Sequence, residues 1–236
     1  MTHTEFSNEF DVLYNNIMSN AAPGLNEYEK SVFLTKAQEE IVKNYFNPKG
    51  NKYGEGMDDS PKRQIDFSEL INVAQGTLGG ASITFDSRAR VYNLPADLFI
   101  IINEAVDTNT GTKQIIPISY AEYTRLMSKP YKEPLKYQAW RIISTSSSNI
   151  SAEIIVNSNE TISKYLIRYI RRPAPIITTN LSSDYGDLTI NGIGTISECE
   201  LNPIIHEEIL QRAVELAKVA YEGDVRATIE TGQRSE

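Results

Sequence analysis

The sequence has a single cysteine, two histidines and no apolar run of membrane-spanning length. Cys199, standing alone, excludes an internal disulfide and any cysteine-cluster metal site, and it fits a reducing compartment. Its neighbours Glu198 and Glu200 would keep a thiol protonated. His3 and His206 are too few to build a histidine-based metal centre or proton relay. The first ten residues lack a basic segment followed by an apolar one, so neither a secretory signal nor a membrane span is expected. Basic charge is short too: 23 lysines and arginines face 31 acids, a net charge of −8, which argues against holding nucleic acid by neutralising many phosphates. A surface that DNA merely slides past is compatible with that balance.

What is present is enough apolar material, 40% of 236 residues, to bury a sizeable core, and its pattern suggests a small domain carrying an elaborated insertion. Residues 202–223 announce a helix: Asn202 as cap, Pro203 in the first turn, Glu207 and Glu208 near the positive end of the dipole, and Gly223 as the stop. Ile205, Ile209, Ala213, Leu216 and Ala220 recur at helical spacing, widened by Leu210, Ala217 and Tyr221, and this face needs a partner. The best partner lies at the other end of the chain. Ser7 is placed to cap a helix over 7–19 carrying Phe10, Leu13, Tyr14, Ile17 and Met18, ended by Ala22-Pro23-Gly24. Asn26 with Glu29 forms a capping box for a second helix over 27–46 with Phe33, Leu34, Ala37, Ile41, Val42 and Tyr45. The two make a helical hairpin whose apolar face complements the C-terminal helix.

Residues 49–60 form a polar, glycine-rich loop, and 64–73 read as a short helix anchored by Ile65, Leu70 and Val73. From residue 83 the periodicity changes. The runs 83–85, 91–92, 98–102, 115–118, 139–143, 150–156 and 161–171 are short and rich in β-branched and aromatic residues, separated by turn chemistry at 107–111 and 146–149. Five consecutive apolar residues at 98–102 predict a strand covered on both faces, whereas Tyr165, Ile167 and Tyr169 alternate with Lys164, Leu166 and Arg168 as in a half-exposed one. Ser119 and Glu122 start a brief helix over 120–128, and Pro173 and Pro175 end the last strong strand. The expected class is α+β: a platform built from the helical hairpin and the C-terminal helix, with an inserted, mainly antiparallel sheet domain. Its expected parts are 1–75 and 201–223 for the platform, 76–200 for the insertion and 224–236 for a polar tail.

No catalytic, cofactor-binding or metal-ligating constellation emerges. His206-Glu207 begins like a zinc-protease helix, but Leu210 stands where the second histidine is required. The glycines at 50–56, 76–80 and 192–194 lack the ending of a phosphate cradle, and the pairs Glu39-Glu40 and Glu207-Glu208 diverge by about 100° on a helix. Arg168, Arg171 and Arg172 are the one local basic cluster, beside Tyr165 and Tyr169, and suit a protein contact or an exposed strand edge.

The run Tyr169-Ile170-Arg171-Arg172-Pro173-Ala174-Pro175, a polar spacer, and then Leu201-Asn202-Pro203-Ile204-Ile205-His206-Glu207-Glu208 resembles the ring-forming head-to-tail connector proteins of short-tailed bacteriophages, above all the collar ring proteins of crAss-like phages. That resemblance implies a structural virion protein with no enzymatic activity and no cofactor. It implies a homo-oligomeric ring of about twelve copies in the neck, partnered by the portal protein and by adjacent collar or tail rings. Genomic DNA would pass through its channel without sequence-specific binding; no membrane is involved, and assembly would take place in the host cytoplasm. By likeness to connectors whose tails dock, Asp224, Arg226 and Arg234 join Arg168, Arg171 and Arg172 as candidate partner contacts. A carbohydrate- or cell-surface-binding tail component is the alternative, prompted by the tyrosines of the strand-rich middle.

Overall fold

Reciprocal bonds between Thr2 and Glu5, the Thr2 amide to Glu5 Oε2 at 2.8 Å and the Glu5 amide to Thr2 Oγ1 at 3.3 Å, open the first helix, α1 (His3–Ile17). This capping box starts the helix before Ser7, so Ser7 is not a cap but an interior residue whose hydroxyl reaches across to Glu27. In the computed structural model, residues 1–17, 24–46, 61–79, 84, 86–129, 133–146 and 149–222 are described. The stop at Ala22-Pro23, the glycine-rich loop, Ile83 and Phe85 of the strand sought at 83–85, the Gly223 stop and the polar tail lie outside them. Asn26 and Glu29 make the expected box at 2.8 and 2.9 Å and begin α2 (Glu27–Phe46).

The chain folds as two units: residues 1–70 with 173–236, and residues 71–172. In the first, α6 (His206–Glu222) packs on both α1 and α2, so the two ends of the chain meet as the apolar stripes require. Asn202 accepts from the Ile204 amide at 3.1 Å and opens a single 3-10 turn that leads into α6. Phe6, Phe10, Leu34, Ile209, Leu210 and Ala213 are fully buried. Of the expected anchors in 64–73, only Leu70 is buried; Ile65 is 62% and Val73 70% exposed. The helix α3 (Pro61–Asp66) stops early, Phe67 and Leu70 plug the core, and Val73 belongs to a strand.

Residues 173–178 join the helical unit because α2 grips them. Ser31, Thr35 and Gln38, one above another on α2, bond to the backbone of Thr178, Ile176 and Ala174 respectively, at 3.0–3.4 Å. A step of four residues rises about 6 Å along a helix, close to the nearly 7 Å of two residues of extended chain, and the longer Gln38 side chain spans the shorter three-residue step, about 4.5 Å. Beyond it come the short α5 (Leu181–Asp184) and a tight turn at Asn191-Gly192.

The second unit is an eight-stranded sheet: β1 (Ile71–Gln75), β2 (Thr77–Leu78), β3 (Arg90–Asn93), β4 (Leu98–Thr108), β5 (Gly111–Pro117), β6 (Gln138–Ser146), β7 (Asn149–Ile155) and β8 (Ile162–Arg171). Their spatial order is β1-β8-β4-β5-β6-β7-β3-β2, antiparallel throughout except for β5 beside β6. That parallel pair needs a crossover, and α4 (Tyr120–Met127), capped by Ser119, supplies it. Since β1 and β2 stand at the two ends of the sheet and only Gly76 separates them in sequence, the sheet closes on itself as a barrel. A Cβ at Gly76 would lie 2.5 Å from the Tyr165 ring and 3.2 Å from Tyr92 Cβ, so closure at this point requires glycine. The interior holds Tyr92, Val106, Ile115, Ala139, Ile154, Tyr165 and Ile167. On the outside, α4 lays Tyr123, Tyr120 and Leu126 against Trp140, Ile142 and Ile155.

Candidate interaction surface

The alternation along β8 puts Tyr165, Ile167 and Tyr169 inside the barrel and Lys164, Leu166 and Arg168 outside. Arg168 stands opposite Val73 of β1 and Asn103 of β4, and it is half-buried. Arg171 is one residue beyond the Arg168–Ile170 face and lies opposite Leu98, while Arg172 is exposed and its amide donates to the Asp97 carbonyl at 2.8 Å. The pleat therefore splits the arginine cluster between two faces of one strand. Asp224, Arg226 and Arg234 fall outside the described residues.

Around Arg168 the outer barrel wall is apolar and only half-covered. Each of the five residues at 98–102 retains intermediate exposure, so this run is not covered on both faces within one chain. Leu98 and Ile101 pack on the interior, and Ile100 with Ile71, Val73 and Leu166 makes an outer apolar surface bordered by guanidinium and amide groups, which is the composition of a protein–protein contact.

Glu104, Arg141, Lys113 and Asp86, buried in the barrel unit, each have an ion-pair partner within it. The Tyr165 hydroxyl donates to Glu104, and Arg141 Nη1 lies 2.8 Å from the other Glu104 oxygen as an ion pair; all three side chains are buried. Burial, with Glu104 alongside, holds the Tyr165 phenol far above its ordinary pKa. Lys113 and Glu160 form a second buried pair. On the outer wall Asp86 accepts from the Arg88 guanidinium at 2.6–3.1 Å and from Tyr123 at 3.1 Å, and the Arg88 bonds hold its carboxyl below the usual range.

In the helical unit, Lys30 is buried between Asp11 at 2.6 Å and Glu27 at 2.8 Å, and Thr178 and Ser7 also donate to Glu27. Burial pushes the Glu27 carboxyl up, but these donors pull it below its usual value. His206 is 4% exposed and touches the Phe6 ring. Its Nε2 lies 2.8 Å from the Leu201 carbonyl, which can only accept, so Nε2 carries the proton and Nδ1 accepts from the Met1 ammonium at 2.7 Å. Burial pushes the imidazole pKa down and drives the Cys199 thiol up to about 11. Among the described residues no group of His, Cys, Asp and Glu could hold a metal ion, and no helix is long and apolar enough to cross a membrane.

Charge divides between the units in a way the total conceals. Residues 71–172 carry 12 lysines and arginines against 8 acids, a net +4, leaving 11 against 23, a net −12, for the helical unit. Sequence reading missed this because the net −8 averages over the insertion; counting charge by unit needs the unit boundaries.

Residues 1–229 match the family described as phage tail ring protein 3/4. Over 238 aligned residues, all of both chains, the sequence is 79% identical to ring protein 4/5 of Bacteroides phage crAss001. It is 32% identical to ring protein 3 of the same phage, over 93% of this chain and 96% of the relative.

Proposed function

The chain belongs to the phage tail ring protein 3/4 family, and from that premise we propose that it is the subunit of a ring, of about twelve copies, in the neck of a crAss-like phage particle. In this reading the ring joins the portal, directly or through adjacent collar or tail rings, to the tail. It surrounds part of the channel through which DNA is packaged and ejected. It acts as a structural component without catalysing a reaction, and it assembles in the host cytoplasm.

The observation that carries this reading is the opposition of charge between the two units, +4 against −12. A head-to-tail ring requires two different, mutually complementary surfaces on one subunit. An acidic helical unit on one copy and a basic barrel, with its half-covered apolar wall around Arg168, on the next supply such a pair. Arg168, Arg171 and Arg172 serve as barrel contacts, and Asp224, Arg226 and Arg234 as contacts of the tail. Helical units lining the channel would repel DNA phosphates and let the genome pass.

The test is the mass and symmetry of the purified protein, alone and mixed with portal protein, by native mass spectrometry and electron-microscope class averages. Twelvefold rings, formed free or on the portal, support the proposal. Monomers or trimers indifferent to portal and to other ring proteins overturn it, and binding to surface glycans would then support the carbohydrate-binding alternative.

A further inference from the structure

Among the described residues of the helical unit, five large apolar side chains are exposed. Val12, Ile65 and Ile204 stand singly, whereas Leu188 and Ile196 flank one turn, with Ile190 and Ile193 half-exposed between them. Single exposed apolar residues are ordinary on a protein surface; a cluster of them marks a contact. This cluster sits on a stiff hairpin. Ile190 and Ile193 exchange backbone bonds at 2.9 and 3.0 Å around Asn191-Gly192, both at positive φ, the two-residue turn that Asn-Gly favours. The Ser182 amide donates to the Gly194 carbonyl at 3.2 Å, a Cβ at Gly194 would run into Ser182 Oγ, and Asn191 Nδ2 donates to Glu39 at 3.2 Å. The surrounding stretch is acidic: from residue 173 to 211 there are six acids and no lysine or arginine, a net −6, and exposed Asp187 adjoins Leu188.

We propose that the hairpin 187–196 of one copy docks on the outer barrel wall of the next, with Leu188 and Ile196 against Val73 and Leu166 and the Asp187 carboxylate beside the Arg168 guanidinium. The inference rests on the head-to-tail ring and names the element that makes its contact. Val73 is 70% exposed and stands opposite Arg168 across the β1–β8 ladder, and Leu166 lies two residues along β8 on the same face. Neighbouring strands are about 4.8 Å apart and two residues span nearly 7 Å, so one cation stands within a side-chain length of two apolar positions. Asp187 and Leu188 offer the complement: an acid and an apolar side chain on adjoining residues. The charges of the two bodies agree with this pairing, net +4 for the barrel unit against −6 for the stretch that holds the hairpin. A hairpin already fixed in shape loses little conformational freedom on docking.

The experiment places a benzophenone amino acid at Leu188 of the full-length protein, mixes isotopically light and heavy chains before assembly, alone and with portal protein, irradiates and maps the cross-linked peptides. Cross-links to 71–75 or 164–168 of another copy support the assignment. Cross-links confined to the same chain, to another segment such as the exposed Leu135-Lys136-Tyr137, or none, overturn it. On protein without the probe, Val73→Asp and Val73→Lys remove the same exposed apolar group and differ in charge alone. Val73→Asp should lower the assembled fraction about tenfold further than Val73→Lys. Asp187→Asn, which suits the positive φ of that position, should remove most of the difference. Equal effects of the two Val73 variants, or a difference that survives Asp187→Asn, overturn the assignment. Rings that form while these readouts fail leave the ring proposal standing, whereas monomers under every condition overturn both.

Discussion

Thr35 and Ile176, 141 positions apart, hold each other twice: the Ile176 amide donates to Thr35 Oγ1 at 3.2 Å, and that hydroxyl donates to the Ile176 carbonyl at 3.4 Å. A helix side chain here does the work of a neighbouring strand, and both groups are buried. Replacing Thr35 by valine keeps the shape and strands the Ile176 amide, at a cost of about 1–3 kcal/mol. The urea midpoint should fall with an unchanged slope, and Thr35→Ser should restore most of it. A midpoint equal to the parent's would show that these bonds contribute nothing.

Closure of the barrel turns on Gly76. Gly76→Ala places a methyl 2.5 Å from the Tyr165 ring, which is itself fixed by Glu104. Overpacking of this kind costs about 1–3 kcal/mol. Thermal unfolding should report the loss, and adding Tyr165→Phe, which frees the ring from Glu104, should relieve part of the clash.

The Glu104–Arg141 pair is worth more as a pair than either member alone. Glu104→Leu leaves a buried guanidinium without its counter-ion and should destabilise the fold by about 3–5 kcal/mol. Adding Arg141→Met should recover a large part of it. A double variant as unstable as the sum of the two single ones would refute the coupling.

Acid should weaken the protein in two stages. His206 has a folded pKa below 6.5, so the unfolded chain takes up a proton first as pH falls, and stability declines from about pH 6.5 down to the folded value. Glu27 and Asp86 have folded pKa values below 4.5 and 3.8, so their contribution is complete above those values and is lost as pH falls through the lower folded ones. Urea midpoints between pH 7.5 and 3 should show both declines. His206→Gln should abolish only the first.

If rings form through opposed charges, salt should weaken them. Raising ionic strength from about 0.1 M to 1 M shortens the screening length from about 10 to 3 Å. Sedimentation should show fewer rings at high salt, and Arg168→Glu with Arg172→Glu should weaken assembly about tenfold at low salt. Ring formation indifferent to both would assign the contact to apolar surface alone.

The elements that local chemistry can specify were legible in the amino-acid order. Asn26 and Glu29 cap α2, Asn202 and Pro203 start the last helix, Ser119 caps α4, and the alternation from Tyr165 to Tyr169 sorts inside from outside, because each depends on residues within a few positions of one another. Of the contacts between distant residues, the packing of the last helix on the first two was legible from their apolar stripes, and the others were not. Residues 71–75 carry a weak helical spacing, yet they pair with β8 because an open barrel edge offers more hydrogen bonds than one more turn of helix. The polar stripe Ser31-Thr35-Gln38 is buried against 174–178, and a stripe facing solvent would carry the same letters. The division of charge into an acidic and a basic unit became visible only with their boundaries. Sequence by itself determined the caps, the periods and the class of fold, since these are local; tertiary structure alone decided the barrel's closure and what each polar side chain grips, since those partners lie scores of residues away.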